Sequence, residues 1–114
     1  GGNEHNTFGS AKESLMLGEA WWENYHKKRS EKNIKAKLIF NESLQFWKAE
    51  KRYPLSEIKY TKAGFEPLTE TIIRNNKIGI IIWTEKPLGT LISSEIAAKS
   101  YEKFFQVLWK AASK

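Results

Sequence analysis

The spacing of apolar residues switches from helical to alternating at Asn33, and that switch confines the chain to folds in which helices and strands interleave. Before it, Leu15, Gly18, Trp22, Tyr25 and Arg29 recur at helical spacing, so Leu15, Trp22 and Tyr25 form one buried stripe widened by Leu17 and Trp21. After it, Ile34, Ala36, Leu38 and Phe40 lie on one face of a strand, while Lys35 and Lys37 share the other with Ile39. That strand is expected to begin solvated and end buried.

The remaining elements follow from local signals. Glu4 to Phe8 is a weak strand candidate, and Ser10 with Glu13 matches a capping box that predicts a helix from Ala11. Glu42 to Tyr53 reads as a short helix carrying Leu44, Phe46 and Trp47, stopped by Pro54. A short strand, Ser56 to Tyr60, precedes a loop at Ala63-Gly64-Phe65-Glu66-Pro67. Thr69 to Arg74 and Ile78 to Trp83 predict a hairpin around Asn75-Asn76, because Asn tolerates the positive φ of tight turns. A turn at Glu85-Lys86-Pro87 leads to a strand from Leu88 to Ile92. Ser93 or Ser94 then caps a helix whose stripe is Ala97, Tyr101, Phe104, Phe105, Leu108 and Ala112. The order β-α-β-α-β-β-β-β-α, with no repeat or linker, predicts one α/β domain over residues 1–114: a single mixed β-sheet flanked by helices.

Composition narrows the chemistry. The 114 residues contain no Cys, which removes disulfide scaffolds, zinc fingers and thiol catalysis. They contain no Asp either, which removes Asp-containing triads and Asp-initiated calcium loops. The longest apolar run, Ile78 to Trp83, is too short to span a bilayer, so a soluble cytoplasmic domain without a membrane partner is expected. Gly1-Gly2-Asn3 offers neither an initiator Met nor a signal peptide, so residues 1–7 are expected to be disordered or tag-derived and the chain to be a fragment. Of the net charge of +6, a surplus of five falls between Lys27 and Lys37, where Lys27, Lys28, Arg29, Lys32, Lys35 and Lys37 face one acid, Glu31.

Four stretches carry a resemblance: Trp22–Arg29 (WENYHKKR), Ile34–Glu42 (IKAKLIFNE), Ile78–Trp83 (IGIIIW) and Tyr101–Lys110 (YEKFFQVLWK). Together they resemble the C-terminal region of archaeal TrmB-like transcriptional regulators, from about Phe8 to the end of the chain. The resemblance implies a phospholipase D-like half fold that senses effectors, with DNA bound mainly by an N-terminal winged helix-turn-helix absent from this chain. It also implies an archaeal source and a homodimer.

Phospholipase D-like enzymes use a His-x-Lys-x4-Asp motif, in which His attacks phosphorus and Lys stabilises phosphate oxygens. Here His26 and Lys28 have the right offset, but Asn33 stands where the acid belongs. Placed by structure, the motif's turn falls at Asn75-Asn76, which puts Glu70 at the Lys position and Leu68 at the His position. No catalytic residue is therefore expected. His5 and His26, read as surface residues, make no metal site, and no cofactor is expected.

Two binding hypotheses remain. Ligands of open α/β sheets collect at the C-terminal ends of strands, which makes Ser10, Asn41, Glu42, Trp83, Thr84 and Glu85 the candidates for a small-molecule effector site. Trp83 would stack on a sugar-like or heterocyclic ligand. Alternatively, Lys27, Lys28, Arg29, Lys32, Lys35 and Lys37 contact nucleic acid or a partner. Phe105 and Trp109, four apart on the last helix, are the candidate dimer contact.

Overall fold

A computed structural model of the protein describes residues 4–10, 19–61, 69–83 and 86–113. Its strands are β1 (Glu4–Ser10), β2 (Lys35–Asn41), β3 (Ser56–Thr61), β4 (Thr69–Arg74), β5 (Lys77–Ile82) and β6 (Leu88–Ser93). They form one sheet in the order β3-β2-β1-β4-β5-β6. β1, β2 and β3 run parallel, whereas the β1–β4, β4–β5 and β5–β6 pairs are antiparallel. Parallel neighbours need crossovers. The first contains α1 (Glu19–Glu31), and the second a 3-10 helix (Glu42–Trp47) followed by a single-turn α2 (Ala49–Arg52). α3 (Glu95–Ala111) follows β6. The α/β class, the single mixed sheet and the order of elements agree with the sequence reading.

β1 realises the strand candidate Glu4 to Phe8, but its burial at the centre of the sheet departs most from expectation. The segment expected to be disordered contains Glu4–Thr7, which form the first half of a central strand, and His5, Asn6 and Thr7 are each only 2% exposed. Tertiary partners explain how so polar a strand is buried. The Asn6 amide donates to both carboxylate oxygens of Glu102 on α3, at 2.9 and 3.0 Å, and Glu102 also accepts from Gln106 at 2.9 Å. Near its end the strand carries an irregularity between Phe8 and Ser10, at Gly9. Gly9 has φ +91°, and a Cβ there would run into the Thr69 carbonyl oxygen of β4, so the position requires glycine.

The period-two register divides the sheet into two apolar faces. Thr7, Leu38, Ile58 and Ile72 stand in register on one face. Over this face lies a cluster of Trp22, Leu38, Phe40, Leu44, Trp47, Tyr53 and Trp83. On the other face, Ile39 and Ile73 pack against Phe105, Trp109 and Ala112. β2 begins with exposed Lys35 and ends buried, as its sequence predicts.

Several local signals act as read. The hairpin turns at Asn75, with φ 57°, and Ser94 caps α3 by accepting from the Ala97 amide at 3.1 Å. Two do not. The helix expected over Glu42–Tyr53 breaks at Lys48, whose φ of 52° ends the 3-10 segment before α2. The stripe of α3 is rotated by about one position, burying Ala98, Phe105 and Trp109 and leaving Phe104 51% exposed. The capping box after Ser10, the positions Leu15, Leu17 and Leu68, the loop Ala63–Pro67, and Thr84 and Glu85 lie outside the described residues.

Candidate functional site

Between α1, the 3-10 helix and the first face of the sheet lies a cavity of about 200 Å³. Its floor comes from alternate residues of adjacent strands: His5 and Thr7 of β1, Leu38 and Phe40 of β2, Glu70 and Ile72 of β4, and Ile81 of β5. Its roof is aromatic, with Trp21, Trp22, Tyr25 and His26 from α1, Trp47 from the 3-10 helix, and Tyr53. Helical spacing places Trp22, Tyr25 and His26 on the sheet side of α1.

The rings hold one another at defined angles. His26 stacks on Tyr53 with centroids 3.9 Å apart, and Trp21 lies parallel to Tyr25 at 5.8 Å. His5 meets the Tyr25 ring edge-on at 5.9 Å. The Tyr53 hydroxyl accepts from the Trp47 indole N–H at 2.6 Å, which ties two roof elements together.

Buried titratable groups set the electrostatics. The Arg29 Nε–H donates to His26 Nδ1 at 3.1 Å, so that nitrogen is the acceptor and the ring proton resides on Nε2. Burial foremost, then the Arg29 charge and His5, push the His26 pKa down to about 3. His5 is lowered to about 4 by burial, with Arg29 and Arg74 adding to the effect. Both imidazoles are therefore neutral at physiological pH and too weakly basic to abstract protons well there. Burial raises the Tyr25 pKa and brings Tyr53 to about 12, which keeps both phenols protonated. Glu70, 4% exposed, accepts from the Trp83 indole N–H at 3.3 Å. His5 Nδ1 and Thr7 Oγ1 are buried without a hydrogen-bond partner. Such atoms are rare in folded proteins and call for a water or a ligand. Among the described residues, no group of His or Glu is placed to hold a metal ion.

The residues singled out in sequence fall in several places. Trp83 is buried in the core beside Trp22, 4% exposed, so its ring is engaged in packing. The Asn41 side chain caps the 3-10 helix by accepting from the Ser43 amide at 2.9 Å, next to exposed Glu42. Ser10 ends β1, one pole of the sheet away from the basic cluster. Within that cluster Lys27, Lys28, Lys32 and Lys35 are exposed, and Lys37 lies 5.5 Å from the Trp109 ring centroid. Arg29 is 4% exposed and donates to His26 and to the Ile34, Pro54 and Leu55 carbonyls, so it is a structural clamp and offers nothing to a polyanion. Phe105 and Trp109 are 0% and 8% exposed and stack on each other at 5.9 Å. Because the core uses both, neither leaves a patch for a second copy. His5 and His26 are buried, correcting their assignment to the surface.

Sequence reasoning missed His5, Thr7, Tyr53 and Glu70 as cavity residues. For Glu70 alone there was a signal: alternation in β4 sets Glu70 and Arg74 on the same face as Ile72, an unusual pair of charges for a central strand.

No family model matches the sequence, and no curated protein matches it. Among solved structures the fold is similar to that of TrmBL2, an archaeal chromatin protein with a novel mode of DNA binding. The TM-score is 0.69 at 12% identity, covering 99% of this chain and 45% of that one. The chain thus spans less than half the length of TrmBL2, and at this identity the likeness establishes a shared fold.

Proposed function

We propose that this chain is a non-catalytic regulatory domain of a TrmB-like DNA-binding regulator, with the aromatic cavity as its effector site and DNA held mainly by a domain outside the chain. The cavity carries this reading: a concave apolar space with two buried, unpartnered polar atoms at its floor. The resemblance of the four quoted stretches and the TrmBL2-like fold support the regulatory class. Sequence and geometry also support the absence of phosphodiesterase chemistry. His26 is buried and bonded to Arg29 while Lys28 is exposed, so the two cannot converge on a phosphate, and Asn33 replaces the acid.

A thermal-shift screen of this chain against sugars, nucleotides and aromatic metabolites tests the effector reading. At about ten times Kd, a true effector is expected to raise Tm by about 5 °C. No shift with any class would overturn it.

Self-association is assigned to a second copy pairing along β6. This edge strand, Leu88–Ser93 (LGTLIS), has no charge and no Pro, and Leu88 and Leu91 are 63% and 66% exposed. Unprotected edges of this kind pair with other strands, and an antiparallel β6–β6 contact closes on itself by two-fold symmetry. Sedimentation is expected to show a dimer that Leu91→Lys converts to monomer without loss of thermal stability. A monomeric parent protein at millimolar concentration would sink the assignment.

A further inference from the structure

We infer that two copies join along β6 in a single register, with Leu91 opposite the partner's Leu91 on the two-fold axis, and that the joined sheet carries both aromatic cavities on one face. This rests on the proposal that β6 is the self-association edge and specifies how that edge pairs.

The direction of the backbone groups comes first. The Ser94 amide donates to the Asn76 carbonyl at 2.8 Å, which extends the regular β5–β6 ladder by one pair. Bonded and non-bonded pairs alternate in an antiparallel ladder, so Leu88, Thr90 and Ile92 direct their N–H and C=O groups at Ile82, Ile80 and Ile78. The two-residue turn Asn75-Asn76, closed by Arg74 and Lys77, has the same phase: Lys77, Gly79 and Ile81 face β4, and their even-numbered neighbours face β6. Gly89, Leu91 and Ser93 therefore aim their N–H and C=O groups outward, where no strand among the described residues pairs with them.

A second copy can satisfy all of these groups in one way. Leu91 opposite the partner's Leu91 sets Gly89 against the partner's Ser93, and Ser93 against the partner's Gly89, so every outward donor and acceptor on both edges is used. Sliding by two residues sets Ser93 against Pro87, which has no N–H, and the Ser93 carbonyl goes unpaired. Sliding the other way sets Gly89 against Glu95, already the first residue of α3. A slide by one residue opposes outward groups to inward ones and turns the faces over.

The side chains suit the same register. Gly89 and Ser93 stand symmetrically about Leu91 and carry little bulk, and a Cβ at Gly89 would meet nothing within 4 Å. The two leucines, each 66% exposed in a single copy, thus have room to pack on each other. On the opposite face Thr90 meets the partner's Ile92, a β-branched pair that strands favour. β6 carries no charge to repel its own copy. Leu91 also lies in register with Gly79 and Ile72, and Ile72 lines the aromatic cavity. The two-fold axis stands perpendicular to the sheet, so both cavities lie on the face of the Leu91 pair and both α3 helices lie behind it.

Because the chain has no Cys, single-cysteine variants report the register directly. With oxidised glutathione, Leu91→Cys is expected to form a disulfide-linked dimer, since opposed bonded residues have Cα atoms about 5.5 Å apart. Thr90→Cys is expected not to, because its counterpart is a diagonal neighbour at about 7–8 Å. Val107→Cys on α3, where Val107 is 65% exposed, measures chance collision, and Leu91→Cys should link at least roughly tenfold faster. Amide exchange gives a second readout. The Leu91 and Ser93 amides should be protected in the parent dimer and the Ser93 amide exposed in Leu91→Lys, while those of Thr90 and Ile92 stay protected in both. A disulfide through Thr90→Cys in place of Leu91→Cys would overturn the register and leave pairing along β6 standing. A dimer whose Leu91 and Ser93 amides exchange fast would place the interface elsewhere and overturn both, as would a parent protein that stays monomeric at millimolar concentration.

Discussion

Between pH 6.5 and about pH 5, the stability of the domain is expected to fall with a slope that reaches about 2.7 kcal/mol per pH unit. The source is the pair His5 and His26, whose ordinary value of 6.5 drops to about 4 and about 3 on folding. The sign follows from proton binding. Near pH 5 the unfolded chain carries protons on both imidazoles and the folded chain on neither, so unfolding takes up about two protons. Stability from this source is complete above pH 6.5 and is lost as pH falls through the folded values. Beside burial, Arg29 from α1 and Arg74 from β4 add to the effect at His5, and Arg29 and His5 add to it at His26, while the neutral Tyr25 and Tyr53 rings pack against the pair. Urea midpoints measured from pH 7.5 to 5 would show the slope, and His5→Gln should roughly halve it. A flat profile down to pH 5 would mean that the two imidazoles are not buried as a neutral pair.

Replacing Arg29 with Ala is expected to destabilise the domain by about 3–5 kcal/mol, a large part of the roughly 5–15 kcal/mol typical of a domain. The guanidinium joins three segments. Nη1 donates to the Ile34 carbonyl at 2.5 Å and the Leu55 carbonyl at 3.0 Å, Nη2 to the Pro54 carbonyl at 2.7 Å, and Nε to His26. Two neighbouring residues have left-handed backbones, Asn33 at φ 58° and Leu55 at φ 55°. The latter costs a branched side chain about 1–2 kcal/mol, and the clamp holds it in place. Removal would take this donor from the Ile34 and Pro54 carbonyls, leave the Leu55 carbonyl to the Ala36 amide, and relax the turns that set the starts of β2 and β3. Arg29→Lys should recover little, because an ammonium cannot reproduce the planar fork. Exposed Lys28→Ala, one residue away, should change stability by no more than about 0.5 kcal/mol. Denaturant midpoints at pH 7 separate the cases. A cost below about 1 kcal/mol for Arg29→Ala would return Arg29 to the solvated cluster.

The two effects are coupled. Arg29 is the second cause of depression at both imidazoles, so Arg29→Ala should also flatten the acid slope.

Signals confined to a few residues were legible. The Asn75 turn, the Ser94 cap and the alternation of β2 each depend on a backbone need that nearby side chains meet. What could not be read depends on pairing across the chain. Glu4–Ser10 (EHNTFGS) has almost no apolar residue, and locally it reads as an edge or a tail. Its place in the sheet follows from β2 on one side, β4 on the other, and Glu102, ninety-six residues away, as the partner of Asn6. Once β1 is central, the burial of His5, Thr7 and His26 follows, and with it the cavity. Arg29 was hidden for a related reason. Its charge matches five neighbouring lysines, and only the tertiary turn at Pro54–Leu55 turns it inward.

The central place of β1 also has a consequence for how the molecule comes into being. Of the strands of the sheet, the first to leave the ribosome is the one that needs partners on both edges. Its parallel neighbour starts at Lys35, while its antiparallel neighbour starts only at Thr69. Until then one edge of β1 keeps its backbone N–H and C=O groups without a strand partner. Contacts so distant in sequence are slow to form, so folding in milliseconds to seconds is expected. The sheet is thus synthesised from its middle outward, whereas its middle strand is completed only when β4 arrives.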